Sequence, residues 1–442
     1  MAAAQHHSRP AIAPFYIYEE VQRYFDVRCA AAVDAAMRSP EAAAKLNTAG
    51  YPDLYQKGAE VLLPRHLANH KSRTYSPEKA QAFVVPAYLG LNGRRLCGNR
   101  TENLAWFNNF LVSSSWFRRR NGLDHIIVTT DHAAVLKPLQ AVTSEVCWGV
   151  QTSEIIFYKQ MKVPHEHLIT VPLVASQPDK APPPWNSRRV MLFFGGQTHG
   201  AAKSYVARRM LCKFHFNMSN IIYSSSSWVK TLKKPPKPNA ALRPCVPRDR
   251  EVCSPWYMVP CQSDELIGNG CIIQGNQSSV SKTMARMRKA KFNLAWPGDH
   301  GWASVSSRAY DGFAAGNVNV FLGRKIIDST IAFHRHLPWP NMSWVVGEID
   351  FAIRHARAVE DAVTRAGMDD QWVRRARSLM RRHAPDVLWN HPHSRVAENV
   401  LRACEANRRA KVEGKIKQYY KYMHGSSSNS GPLDVPPTYD LW

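Results

Sequence analysis

Residues 291–322 read KFNLAWPGDHGWASVSSRAYDGFAAGNVNVFL. The stretch 291–296 is apolar and strand-like, and Pro297-Gly298-Asp299 makes the turn that ends it. Ser306 or Ser307 suits the N-cap of a helix running to Ala315, with Gly316 supplying the left-handed stop. The stretch 318–322 then returns as a second strand. The loop of this strand–loop–helix–strand unit lies at the carboxyl end of a strand and the amino end of a helix. Ligands of open α/β sheets bind there, and a helix start favours anions such as phosphate. Arg308, in the first turn, offers a forked donor to a diphosphate. Asp311, three residues on and on the same face, suits ribose hydroxyls, and Gly298 and Asp299 let the backbone approach a ligand. The plainer alternative is an i,i+3 surface pair between Arg308 and Asp311, worth roughly 0.2–0.5 kcal/mol.

Outward from this unit, short apolar runs alternate with helix-like segments, the pattern of an α/β protein with parallel sheets. Strand candidates are FYIY (15–18), AFVVP (82–86), HIIVTT (125–130), HLITVP (167–172) and VMLFFGG (190–196). Segments 54–68, 101–118 and 280–290 carry apolar residues at helical spacing. The proline-rich stretch 175–189 reads as a linker. Residues 224–263 lack periodicity and read as a surface insertion, 351–423 as a continuous helical region, and 424–442 as a disordered tail. No internal repeat is visible.

The 442 residues suffice for two or three domains. Lys and Arg number 58 against 34 Asp and Glu, a net charge of +24, which favours anionic partners. The basic runs at 118–120, 230–237, 374–382 and 408–421 are dispersed, and no nucleic-acid-binding signature accompanies them, so nucleic acid is not expected as a partner. No apolar run reaches the ~18 residues of a transmembrane helix, and MAAAQHHSRPAIAPFYIYEE shows no signal-peptide core. Of nine cysteines, Cys245, Cys253, Cys261 and Cys271 crowd one segment, at spacings too wide for zinc pairs. One or two disulfides are expected there, and the odd total leaves a thiol unless chains pair. Sequons at Asn99, Asn217, Asn276 and Asn341 permit glycosylation in the secretory path.

The order F-x-L-x-x-x-G-D, then S-x-R, an acidic residue, a glycine and a β-run resembles the C-terminal motif of the exostosin-like glycosyltransferases (glycosyltransferase family 47). FYIYEE, RTYSPEKAQAFVVPAY, GLDHIIVTTDH, RRVMLFFGG and LPWPNMSWVVGEID resemble further blocks of that family, in the family's order over roughly 15–350. There are departures. Asn293 and Asn317 stand where cysteines are frequent, and Asn319 where proline is usual. Leu123 and Thr130 replace an arginine and a histidine, and Met342-Ser343 replaces Leu-Asp. The family's type II membrane anchor is not visible in these residues.

The resemblance implies a GT-B architecture: two Rossmann-like domains facing across a cleft, with C-terminal helices. The domains expected are 1–174 for the acceptor and 190–350 for the donor, joined by 175–189. It further implies an inverting transfer from a nucleotide sugar, UDP-linked, to a glycan or polysaccharide in the Golgi lumen or at its membrane. No metal or other cofactor is expected; cations would neutralise the leaving diphosphate instead. Arg308 fills that role, with Arg208 or Arg209 as a second cation. Inversion needs one general base, for which Asp131 just past a strand is the first candidate and His132 the second. Asp131 reads equally well as a helix N-cap, while Asp124 and His125, before that strand, read as structural. Trp339 and Trp344 read as core rather than sugar-stacking residues, and Lys291 as a surface side chain. Two other readings stay open: a catalytically silent subunit of a hetero- or homo-oligomer, and a basic polyanion-binding protein.

Overall fold

The computed structural model describes residues 11–38, 58–93, 95–130, 136, 138–151, 154–176, 181–196, 221–225, 272–273, 280–295, 305–347, 350–351 and 356–412. These form two parallel sheets. The first holds β1 (Phe15–Ile17), β2 (Ala82–Val84), β3 (His125–Thr129), β4 (Cys147–Val150) and β5 (Leu168–Thr170), side by side in chain order. The second holds β6 (Val190–Gly196), β7 (Ile221–Ser225), β8 (Ile272–Ile273), β9 (Ala290–Ala295), β10 (Val318–Leu322) and β11 (Ser343–Val346), in the order β11-β10-β9-β6-β7-β8. Its strand order reverses between β6 and β9, which pair directly, so the Rossmann switch point lies there. The first sheet has no such reversal.

Helices cover both faces of the first sheet, which is why its strands read as unbroken apolar runs. Val84, Ile126, Val128 and Ile169 share one core with Leu62 and Leu63 of helix Ala59–Leu67 and Leu401 of helix Val396–Val412. Phe83, Ile127, Trp148 and Val150 point the other way, toward Phe25 of helix Glu19–Arg28 and Phe107 of helix Arg100–Ser113. The strand β4 carries no clear alternation and contains Gly149. A Cβ there would lie 2.8 Å from Val128 Cγ2, so close strand packing demands the glycine that hid this strand in the sequence.

The C-terminal region is helical but not continuous. Helices Ala356–Met368 and Asp370–Val387 pack with the second sheet's elements, while Val396–Val412 returns to the first. The break follows Pro385 and is fixed by the buried Asp386, which accepts from Arg395 Nε (2.8 Å), His383 Nδ1 (2.9 Å) and Asn399 Nδ2 (3.1 Å). A disulfide, Cys147–Cys404, ties the returning helix to β4, and a second, Cys29–Cys97, lies within the first unit. Both lie away from the cysteine cluster in which bonds were expected; that cluster, most of the 224–263 insertion and the 424–442 tail fall outside the described residues.

The stretch 181–189 is packed rather than loose. Arg188 donates to the carbonyls of Ala290 (2.8 Å), Gly316 (2.9 Å) and Ala315 (3.3 Å), which gathers β9 and the end of helix Arg308–Ala314 around one guanidinium. Burial, with Arg377 and Arg288 nearby, lowers this guanidinium to about 10. Gly316 has φ +70°, the left-handed stop the sequence called for, and a Cβ there would lie 2.9 Å from Arg188 Nη2.

Candidate active site

The unit read from 291–322 folds as expected: β9, then helix Arg308–Ala314, then β10. Ser307 occupies the cap position without a side-chain bond, whereas Ser306 Oγ accepts from Arg308 N at 3.3 Å. Both serines are half-buried beside Arg308. The helix is two turns long, so its dipole adds little, and among the described residues the positive charge at this end comes from Arg308.

Arg308 and Asp311 do pair, at 2.9 Å between Nη1 and Oδ2, but not as an exposed surface pair. The Arg308 side chain keeps 23% of its surface, while Asp311 has none. Asp311 Oδ1 accepts from the amide of Ser176 at 2.8 Å, in the crossing between the two sheets. Burial pushes the Asp311 carboxyl above its ordinary value, and the charge of Arg308 and the bond from Ser176 only partly offset that push. The ribose contact expected of Asp311 is therefore not offered in this geometry, because its oxygens face protein donors. Its place is to aim Arg308 and to fasten this helix to the inter-sheet crossing.

Behind Arg308 lie Asn293 and Asn319, two of the three asparagines that depart from the family pattern. Asn293 Nδ2 donates to the Arg308 carbonyl (2.9 Å) and to Asn319 Oδ1 (2.8 Å), and Asn319 Nδ2 donates to the Ala309 carbonyl (2.9 Å). Asn317 Nδ2 donates to Met287 O (2.9 Å) and Ala290 O (2.5 Å). All three are buried. Asn293 and Asn319 bind β9 and β10 to the first turn of the helix, whereas Asn317 ties the start of β10 to the amino end of β9. The close approach at Asn293 explains Gly312, whose Cβ would lie 2.5 Å from Asn293 Nδ2. Asn293 and Asn319 thus build a hydrogen-bonded bed under the backbone of Arg308 and Ala309.

On the first sheet, the carboxyl end of β3 leads to Asp131. Asp131 and His132, like Arg208, Arg209, Gly298 and Asp299, lie outside the described residues. Their anchor is described. Glu60, from helix Ala59–Leu67, is buried and accepts from Thr130 N (2.6 Å), Thr130 Oγ1 (3.1 Å) and Gly90 N (2.7 Å). One carboxylate so holds the residue before Asp131 and Gly90 of the short helix Leu89–Gly93 that follows β2. No motif pointed to Glu60; a buried acid in an apolar helix (AEVLLPRHL) was the only signal.

A second missed group joins the two halves. Arg335, from the chain between β10 and β11, ion-pairs with buried Glu154 and donates to Asn407 Oδ1 (2.9 Å) and Leu168 O (3.1 Å). Glu154 also accepts from Thr170 Oγ1 at 3.1 Å, and Phe333 N donates to Thr170 O at 2.9 Å. The end of β5 and the returning C-terminal helix are thereby fixed to the second unit.

Asp124 and His125 stand at the opposite, amino end of β3. His125 Nδ1 lies 2.8 Å from Asp124 Oδ1, its Nε2 lies 3.0 Å from Tyr18 Oη, and Arg119 donates to Asp124 Oδ2 at 3.0 Å. They are structural, as read. Trp339 is core: its Nε1 donates to Ala332 O at 2.7 Å and it meets Phe313 edge-on. Trp344 packs edge-on against Trp372, and Lys291 Nζ lies 5.9 Å over the Trp185 ring.

Two parallel units, one with a Rossmann switch point and an arginine near it, narrow the class, and similarity to known proteins decides it. A family model described as the Exostosin GT47 domain matches residues 13–352, well over half of the chain. The chain belongs to the exostosin GT47 family of glycosyltransferases. Two curated relatives from Arabidopsis thaliana match part of it: a probable xyloglucan galactosyltransferase GT17, 32% identical over 74 residues, and the xyloglucan galactosyltransferase XLT2, 32% identical over 74 residues. These matches cover 16% and 15% of this chain, and only 16% and 14% of the relatives' lengths. Among solved structures, WaaG, a glycosyltransferase involved in lipopolysaccharide biosynthesis, is 15% identical with TM-score 0.36, covering 88% of this chain and 98% of its own. The pneumococcal O-GlcNAc transferase GtfA is 9% identical with TM-score 0.32, covering 73% and 60%. In this GT47 member β3 belongs to one parallel unit and β9, with Arg308 after it, to the other, and the segments that follow Thr130 and β9 lie outside the described residues.

Proposed function

We propose that this chain is an inverting glycosyltransferase that moves a sugar from a UDP-linked donor to a glycan or polysaccharide. Galactose and a xyloglucan-type acceptor are the first pair to try, in view of the partial relatives. The observation that carries the reading is Arg308: a guanidinium aimed by a fully buried carboxylate, following the strand that borders the sheet's switch point. In this scheme Arg308 holds the diphosphate, with Arg208 or Arg209 as a second cation. The acceptor hydroxyl attacks the anomeric carbon and its proton passes to Asp131, with His132 the alternative base. The bond from the anomeric carbon to the diphosphate oxygen breaks, and UDP leaves. Glu60 keeps Asp131's strand end in place. The disulfides Cys29–Cys97 and Cys147–Cys404 support a lumenal, oxidising location such as the Golgi.

Titration calorimetry of UDP with and without a chelator tests the donor chemistry. Binding that survives EDTA is expected, since cationic side chains carry the charge neutralisation. Complete loss of binding in EDTA sinks the metal-free scheme, and no binding of any nucleoside diphosphate sinks the donor site.

A further inference from the structure

We propose that Asn99 carries an N-linked glycan, whereas Asn341 stays unmodified. The proposal rests on the lumenal location given above. Four sequons occur, and two of them fall within the described residues. Their surroundings are opposite.

Asn99-Arg100-Thr101 lies at the exposed amino end of helix Arg100–Ser113, with Asn99 as its N-cap, two residues beyond Cys97 of a disulfide and with both Asn99 and Thr101 exposed. Asn99 Oδ1 accepts from Thr101 N at 3.1 Å and Glu102 N at 3.3 Å. That bonding uses the oxygen alone. The Nδ2 group, the atom that takes a glycan, makes no hydrogen bond with the described residues. A glycosylated asparagine keeps its amide oxygen, so the same two bonds persist after modification. Beside it runs an open groove of about 730 Å³, lined by Arg95, Asn99, Leu104, Asn108 and Pro138. The first sugars meet free volume there rather than a packed wall.

Asn341-Met342-Ser343 is built into the fold instead. Asn341 is half-buried, Met342 is 1% and Ser343 4% exposed. Ser343 begins β11 and its hydroxyl donates to the Trp339 carbonyl. The hydroxyl that defines this sequon is thus bonded inside the protein, and a glycan would stand against the edge where β11 forms.

The modification is an ordinary transfer. Asn99 Nδ2 attacks C1 of the first N-acetylglucosamine of a lipid-diphosphate-linked oligosaccharide. The N–C1 bond forms, the C1–O(phosphate) bond breaks, an amide proton goes to the transferring enzyme's base, and the lipid diphosphate leaves.

The test is site-resolved glycopeptide mass spectrometry on the full chain made in a eukaryotic host, with enzymatic glycan release in heavy-oxygen water. Disulfide peptides are mapped from the same digest. The expected result is a glycan on most copies of Asn99 and none at Asn341. Asn99→Asp should remove the glycan yet keep the two oxygen-mediated bonds, so its melting temperature should match that of enzymatically deglycosylated protein. Thr101→Ser should retain the glycan. Unmodified Asn99 in chains whose Cys29–Cys97 bond is oxidised overturns the proposal and leaves the lumenal reading standing. Unmodified Asn99 together with reduced cysteines overturns both, and a glycan at Asn341 overturns the contrast. The wild-type map decides the matter even if a variant fails to fold.

Discussion

Asp124 and Asp311 are both fully buried carboxylates, and both bond an arginine that keeps some exposure. Their titration moves in opposite directions. For Asp124, burial would raise the carboxyl, but the bonds and charges of His125 and Arg119 outweigh it and hold it below the ordinary range. For Asp311, burial dominates over Arg308 and the Ser176 amide, and the carboxyl rises. The difference is one of donor count and of place. Asp124 closes a network at the amino end of a strand, the end of an α/β sheet remote from ligands. Asp311 meets one cation near the ligand end of the other sheet, and that cation is left partly open to solvent. Exposure of the arginine does not separate the two pairs, since Arg119 keeps 36% of its side-chain surface and Arg308 23%; the number of donors on the carboxylate and the end of the sheet do.

Three substitutions can break or sharpen this contrast. The largest effect should come from Asp124→Asn, which leaves Arg119 and His125 without their shared carboxylate. Breaking such a buried cluster should cost about 2–4 kcal/mol in chemical denaturation, the exposure of Arg119 trimming the full buried-pair penalty. The sign of its pH dependence follows from a depressed folded pKa. Its contribution is present above the unfolded value near 3.8 and is lost as pH falls through the lower folded value. Wild type and variant should therefore converge in stability in strong acid. A variant as stable as wild type at neutral pH would remove Asp124 from the scaffold.

Arg308→Lys should leave the fold intact and strike function. An ammonium keeps the charge but cannot grip two phosphate oxygens through a planar fork. The loss of one charge-assisted bond, about 1.5–3 kcal/mol, corresponds to roughly ten- to a hundredfold in UDP affinity or turnover. Unchanged UDP affinity together with unchanged transfer would return Arg308 to the role of a structural partner.

The smallest stability effect should come from Asp311→Asn. A raised folded pKa means that the stabilising contribution is complete only below about 3.8 and is lost as pH rises through the folded value, so the ionised form is a cost at neutral pH. The amide can still accept from Ser176 N, and Arg308 can turn to solvent. The change in unfolding free energy at pH 7 should stay within about 1 kcal/mol, in line with the near break-even balance of buried ion pairs. Turnover should fall more than stability, because Arg308 loses the group that aims it. A loss of stability as large as that of Asp124→Asn would erase the distinction between the two sites.

Much of this was readable before any coordinates. The β9–helix–β10 unit was marked by local signals: a Pro-Gly-Asp stop, serines before a helix and Gly316 after it, each fixed by backbone sterics within a few residues. β1, β2, β3, β5 and β6 likewise announced themselves as apolar runs. β4 did not, since four residues with a glycine carry no period, and β7 and β8 stood inside or beside stretches without pattern. The break at 388–395 escaped because the flanking helices share one composition, and only Asp386 with Arg395 and Asn399 pins it.

What residue order carried, then, was the identity of the elements and the placing of Arg308 and Asp311 on one helix face, because turn chemistry and helical spacing act over a few residues. It carried the family's blocks as well. Folding settled which carboxylates are buried and by what they are held. Asp311 reaches Ser176, 135 residues away, and Glu60 reaches Thr130 across 70. Arg335 reaches Glu154 across 181. The two described disulfides span 68 and 257 residues. A carboxylate's charge state depends on the donors and the dielectric around it, and those are assembled only when distant segments pack together.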